Sequence, residues 1–373
     1  MSGRPLRVFV AHHQAWPGAS GDAVHVWAVV TGLVKRGFRV ITQGDAGPPG
    51  VAMIPFGRSS TMKAVRRADV VYVRVDGGLN REKTTAFAWL ARPRPAVVWE
   101  VNAPLDEQIP QGLDPNRLRR WRLARKALAR GADAAVTVAD ELVGYVCAEL
   151  GIADVTVVEN GADLPDDAAA TGPASPLRDR GFVALWMGSA SYPWQAQDAV
   201  IAAARALERV DPEASIAIVG DVRQDAGDPP PPGLIVMGPA PRAAAAEHLR
   251  ASAVALCLYH DTPWALDGFY MSPIKLFEAW SAGVPVVATD LASIRRIVRD
   301  GETGLLVPDD AHAVATAISR LRTDHALRSR LVEAGRRAVR EHYNWDRAAD
   351  QIAAVITRVH ERRRRVGRPR SAP

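Results

Sequence analysis

Cysteine is nearly absent: two residues in 373, Cys147 and Cys257, far apart and in apolar surroundings. That excludes a disulfide framework and a cysteine-based metal cluster, and fits buried free thiols in a reducing compartment. Long apolar runs are missing as well. Nothing approaches the roughly 20 consecutive apolar residues of a transmembrane helix. The opening stretch MSGRPLRVFVAHHQ enters a strand directly and has no signal-peptide layout. The GxGxxG fingerprint is also missing, which weakens a dinucleotide-cofactor reading. These absences lead to expectations of a cytoplasmic chain with no metal site and no tightly bound cofactor.

What is present is ordinary for a globular protein: 48% hydrophobic and 24% charged residues. The length exceeds what one hydrophobic core organises, so two domains are expected. The net charge of +6 comes in large part from ERRRRVGRPR, Glu361 to Arg370. Such a run is ordinarily a solvated terminus; its charge also suits anionic lipid or nucleic-acid phosphate. No base-reading module accompanies it, so nucleic acid is not an expected partner.

Along the chain, short apolar runs alternate with helical periodicity. LRVFVAHH is followed by a glycine loop with Gly18 and Gly21, then by a helix from about Asp22 to Arg36. ADVVYVRVDG and PAVVWEVNAP are buried strands with polar ends at Arg74, Asp76, Glu100 and Asn102. In open parallel sheets ligands collect at the carboxyl ends of strands, so these four have the address of a site, although loop capping is the ordinary use of each. The basic stretch RLRRWRLARKALARGAD reads as a solvated helix face over the sheet, with a membrane surface or acidic partner as the alternative. AAVTVADELVGYVCAELG reads as strand then helix. Leu164 to Arg180 is aperiodic and reads as a linker. The scheme then restarts with FVALWMGS, a helix over about Pro193 to Val210, SIAIVGD, LIVMGPAPR and VALCLYHDTP. These strands end in small or polar groups, among them Gly188, Ser189, Gly220, Gly238 and Pro239.

The most informative stretch is GFYMSPIKLFEAWSAGVPVVATD, Gly268 to Asp290. Ser272 suits an N-cap and Pro273 the first helical position, and Gly283 closes the helix. Lys275 then stands in the first turn, where a cation opposes the helix dipole by roughly 0.3–1 kcal/mol if exposed. An anion bound at the helix N-terminus would account for it; a solvated lysine is the plain alternative. Glu278 shares the polar stripe with Lys275.

These motifs together resemble family 4 retaining glycosyltransferases of the GT-B fold: α/β, with two Rossmann-like doubly wound domains facing across a cleft. The resemblance covers nearly the whole chain and is strongest in Gly268 to Asp290 and IVRDGETGLLVPDD. VENGAD is similar to that family's interdomain turn, and GASGDAVHVWAVVTGLVKRGFRV to its N-terminal glycine loop and first helix. The resemblance implies domains at 1–163 and 181–343, a linker at 164–180, a helix at 344–362 crossing back to the first domain, and a disordered basic tail at 363–373. It implies a UDP-, GDP- or TDP-sugar as co-substrate and a hydroxyl acceptor: a saccharide, glycolipid or natural product. Glu278 would bond the ribose. Lys275 would face the diphosphate, and Gly268, Phe269, Tyr270, Met271 and Ser272 would line the donor. Gly238 and Pro239 would lie near the base, Gly188 and Ser189 beside the phosphates, and Gly21 in the loop closing over them. Asp22, Arg74, Asp76 and Asn102 would position the acceptor.

The chain also departs from the family pattern. Tyr270 stands where the family commonly has a first glutamate, GSASYPWQA lacks the usual cations, and Asn102 replaces a histidine. Arg295 or Arg296 is a candidate substitute cation. An epimerase of the same fold and a non-catalytic sugar-nucleotide binder are the alternatives. A peripheral contact with the inner face of an anionic membrane is open.

Overall fold

The runs Val70–Val75 and Ala96–Val101 show no polar alternation, and every residue in them is buried. A strand covered on both faces belongs in a parallel sheet with helices on each side. The computed structural model describes residues 4–13, 18, 20–164, 173–222 and 231–366. About half of the expected linker and most of the basic tail therefore lie outside the described residues, as does part of the DPPPPG loop.

The elements run β1 (Arg7–Ala11), α1 (Gly21–Lys35), β2 (Arg39–Gln43), β3 (Ala52–Ile54), α2 (Arg58–Arg67) and β4 (Val70–Val75). They continue with α3 (Thr84–Leu90), β5 (Ala96–Val101), α4 (Pro115–Ala129), β6 (Ala134–Thr137), β7 (Val155–Val157) and β8 (Phe182–Gly188). Then come α5 (Gln197–Val210), β9 (Ala214–Gly220), β10 (Leu234–Gly238), α6 (Arg242–Ala251), β11 (Val254–Cys257) and α7 (Ile274–Ala282). The last are β12 (Val286–Thr289), α8 (Ala292–Ile297), β13 (Leu305–Val307), α9 (Ala311–Thr323), α10 (His325–Glu341) and α11 (Trp345–Val366).

The chain divides into two units. The first comprises residues 1–160, 263–271 and 345–373; the second comprises 161–262 and 272–344. The first holds a seven-stranded sheet in the order β3-β2-β1-β4-β5-β6-β7, and the second a six-stranded sheet in the order β10-β9-β8-β11-β12-β13. Every pairing is parallel. Both orders reverse beside the first strand of the unit, the doubly wound arrangement expected from the alternation.

In the first unit α11 covers the sheet beside α1. Ala348, Ile352, Val355, Ile356 and Val359 join Val26, Val29, Val30 and Leu33 in one core. Gly32 permits the close approach, since a side chain there would fall on Ala349. The helix continues through Val366, so Arg363 to Val366 of the expected tail are helical. Arg358 and Arg362 pair with Asp154, and Arg363 with Asp133, which holds this end to the sheet edge. In the second unit α7 lies against α10. Trp280 occupies the space left open by Gly335 and donates its Nε1 proton to Thr303 O at 2.8 Å, while Phe277 stacks on Tyr343 at 4.7 Å.

Some local expectations differ from what is observed. The helix expected from Pro193 is a 3-10 turn over Pro193–Gln195, broken at Ala196 with φ 45°, before α5 begins. The segment after β6 forms a 3-10 turn at Asp140–Leu142 and a π-helix at Tyr145–Leu150 rather than a regular α-helix. The central helix begins at Ile274. Pro273 takes the cap position at ψ 102° and makes no side-chain cap bond, one residue later than the serine expected there. Ser272 is buried, and Lys275 is the second helical residue rather than the third.

Candidate functional site

The carboxyl edge of the second sheet is built close. β8 ends at Gly188 and β9 at Gly220, where a side chain would fall on Gly188 O; Gly220 has φ 140°. Gly188 itself has no room for a side chain, because the Trp186 ring and Gln195 Oε1 lie against it. Asp221 organises the following turn by accepting from Ala190 N at 3.1 Å and from Ser189 Oγ at 3.3 Å. Gly238 closes β10 at φ 71°, with Pro239 after it.

Lys275 enters this edge from the first turn of α7. Its Nζ donates to Gln195 Oε1 at 2.8 Å and stands 4.7 Å above the Tyr259 ring and 5.2 Å from the Trp186 ring. Burial lowers its pKa to about 8. No carboxylate pairs with it among the described contacts. A partly desolvated ammonium at a helix N-terminus is an anion-binding arrangement, since both favour negative charge. Glu278, one turn on, lies 3.4 Å from Arg242, which also lies 3.7 Å from Asp163. Burial raises the pKa of Glu278, and Arg242 works against that. Arg242 was not foreseen in the sequence, and no motif marks it. Of the α8 arginines, Arg295 is exposed and donates to Asp290 at 2.7 Å.

The first unit gathers the other candidates into one network. Arg74, at the end of β4, is buried among three carboxylates. It lies 2.5 Å from Asp22 Oδ1, 3.0 Å from Asp76 Oδ1 and 3.0 Å from Glu100 Oε1. Glu100, at the end of β5, accepts from Tyr72 Oη at 2.5 Å and from Asn102 Nδ2 at 2.7 Å, and His25 Nε2 lies 2.8 Å from its Oε1. Burial would raise the Glu100 pKa, but His25, Arg74 and Tyr72 hold it far below the usual carboxylate range. Asp22 follows Gly21 at the start of α1, where Ser20 caps the helix, and is the half-exposed member of the group. His13 stands 3.2 Å from Asp76, and His12 is fully buried with its pKa lowered to about 3 by burial and by Arg74 and Arg81. Four strand-end residues that each had a bland reading thus form a single polar cluster around Arg74 and Glu100. Arg74 is saturated by carboxylates, leaving Asp22 and Asn102 as the members suited to touch a ligand.

The donor-lining segment is divided between the units: Gly268, Phe269, Tyr270 and Met271 cluster with the first, and Ser272, Lys275 and Glu278 with the second. Phe269 is fully buried. Tyr270 packs on Ala103, Val138 and Leu142 and donates to Glu107 Oε2 at 2.6 Å. The Tyr270 side chain is therefore an anchor within the first unit rather than an open loop residue.

Glu107 gains a testable property from this pairing. Burial, with Asp76 and Asp22 nearby, raises its pKa from 4.5 to about 7, although the Tyr270 bond works against that. Between those two values the folded chain keeps a proton that the unfolded chain has released. Stability is therefore expected to fall as pH rises through that window, by up to about 3 kcal/mol. Urea midpoints at about pH 5 and about pH 8 should show that loss, and Glu107→Gln should remove most of it. An equal slope in the variant would assign the proton elsewhere.

Residues 181–324 match the family model described as Glycosyl transferases group 1. The phosphatidyl-myo-inositol mannosyltransferase of Mycolicibacterium smegmatis is 34% identical over 219 residues, covering 56% of this chain and 52% of that protein. The Mycobacterium leprae protein of the same name is 49% identical over 87 residues, 23% of each chain. The chain thus aligns with about half the length, or less, of these relatives. Among solved structures, Anabaena HepE in complex with UDP and glucose is similar at TM-score 0.69 and 16% identity, over 94% of this chain and 99% of that one. Together with the two Rossmann-order sheets, that likeness gives the fold as GT-B.

Proposed function

We propose that this chain is a glycosyltransferase that moves a sugar from a nucleotide-diphosphate donor to a hydroxyl acceptor, with retention at the anomeric carbon and without a metal. The observation that carries the proposal is Lys275: a partly desolvated ammonium with no carboxylate partner among the described residues, at the N-terminus of α7, inside the segment that matches the family model. The leaving nucleoside diphosphate develops negative charge, and Lys275 with the free N–H groups of α7 would stabilise it there. Glu278 would accept from the ribose hydroxyls, paired carboxylate oxygens to vicinal donors. Backbone at Gly188, Ser189, Gly238, Pro239 and Gly268 to Ser272 would line the donor. Gly21 would lie over the phosphates, and Asp22 and Asn102 would meet the acceptor. The leaving phosphate would itself take the acceptor proton, so no general base is assigned.

The relatives' names point to a lipid-linked inositol acceptor, and a saccharide, glycolipid or natural product falls within the class we propose. No described helix is long and apolar enough to cross a membrane. Peripheral contact at the cytoplasmic face is supported by α4, whose exposed side carries Arg119, Arg120, Lys126 and Arg130 beside an exposed Leu123. Anionic headgroups attract such a face.

A thermal-shift screen with UDP-, GDP- and TDP-sugars tests the donor side, since a ligand that binds only the folded chain raises the melting temperature. Transfer of radiolabelled sugar to an inositol lipid or a saccharide then tests the reaction. Stabilisation without transfer to any acceptor would favour a non-catalytic binder. Release of an epimerised sugar without an acceptor would favour an epimerase. No stabilisation by any donor would end the proposal.

A further inference from the structure

His25 lies on α1, one turn after Asp22, with its side chain only 7% exposed. Both ring nitrogens are engaged. Nε2 stands 2.8 Å from Glu100 Oε1, Nδ1 stands 2.5 Å from the Asn160 side-chain amide, and the ring meets Trp345 edge-on at 5.9 Å. The Asn160 amide can turn either its oxygen or its nitrogen to Nδ1, while Nε2 faces the carboxylate at ion-pair distance.

The positions of those partners are what give the contacts meaning. Asn160 is the last residue before the chain first leaves the first unit, and Trp345 is the first residue after its final return, two of the four places where the chain changes unit. Within the second unit Ala162 N donates to Tyr343 O at 3.0 Å, and Ala162 pairs with Asn344, so the two passages run side by side. One ring therefore touches both passages on one side and, on the other, the carboxylate that receives Tyr72, Asn102 and Arg74.

We propose that His25 is a positioning residue that ties the paired chain passages to Glu100, and through Arg74 to Asp22, so that the strand-end cluster takes its geometry from the passages. The acceptor role of that cluster rests on the function proposed above; the mechanical tie does not. Coupling of this kind requires a continuous set of packed or bonded groups, and Asn160, His25, Glu100, Arg74 and Asp22 form one.

Hydrogen exchange on the full chain tests it. Glu100→Gln keeps the side-chain shape and removes the charge facing Nε2. It is expected to speed exchange at 158–164 and 343–348 at least about threefold while leaving β8 and β9 unchanged. In a His25→Phe background, which keeps a ring against Trp345, adding Glu100→Gln should have no further effect there. His25→Gln, whose amide can bond at both ends, should keep native exchange at the passages. Unchanged exchange in Glu100→Gln, or an equal change with and without His25, overturns the proposal. If the chain transfers sugar, His25→Phe should lower kcat about tenfold with the donor KM nearly unchanged, and His25→Gln should restore it. If the chain transfers none, the function proposed above fails and the exchange measurement still decides the role of His25.

Discussion

Lys275→Ala is expected to lower turnover by about 10²–10³-fold, the usual loss when one preorganised group facing developing negative charge is removed. The donor KM should change less, because the charge on the leaving diphosphate grows toward the transition state. The fold should survive. The ammonium's hydrogen bond is to Gln195, an uncharged partner, so its removal leaves no buried counter-charge behind. A loss of less than about tenfold in steady-state transfer would remove the central role given to this residue. A second signature follows from the same burial. The Lys275 pKa is lowered to about 8, and a bound diphosphate favours the ammonium form. Binding therefore takes up a proton above that pH, so donor affinity should be full below about 8 and fall as pH rises beyond it. Lys275→Arg, which stays charged, should bind donor with little dependence on pH over the same range.

The arrangement around Lys275 in the second unit was readable because its logic is local. A proline–isoleucine–lysine turn opening a short apolar helix puts Lys275 and Glu278 on one stripe, and a chain-closing Gly283 confirms the helix length. The glycine-ended strands were readable for the same reason: a strand end that must bend sharply or approach its neighbour tolerates little else, as Gly188 and Gly220 show. The first unit was readable only as a list of strand-end polar residues. That Arg74 binds three carboxylates, that Glu100 accepts from Tyr72 and Arg74 of β4, and that Tyr270 turns inward to Glu107 depend on pairings far apart in sequence. No periodicity encodes such pairings. The start of α7 was placed one residue early: Pro273, at ψ 102°, stands at the cap position instead of opening the helix, a backbone angle that the residue types alone do not reveal.

The basic helix α4 hides the residue whose loss should cost the most stability. Its pattern reads as a solvated face, yet Arg125 is fully buried. It faces the equally buried Glu82 at 2.6 Å and donates to Asp76 O at 2.6 Å and Gly78 O at 2.5 Å. Arg125→Met keeps most of the side-chain volume but leaves a carboxyl without its cation, in a place where burial already raises the Glu82 pKa. Breaking one side of a buried pair typically costs about 3–5 kcal/mol, which should lower the melting temperature by about 10 °C. Replacing both partners is expected to cost less than replacing one, so Arg125→Met with Glu82→Leu should recover part of the loss. The two carbonyls are a separate matter. They belong to the loop after β4 that carries Asp76, and the double variant leaves them without Arg125. It should therefore melt above Arg125→Met alone but below the native chain, and transfer sugar more slowly. A double variant that melts as low as Arg125→Met alone would show that the guanidinium stabilises the unit through the loop carbonyls, and that the ion pair itself contributes little.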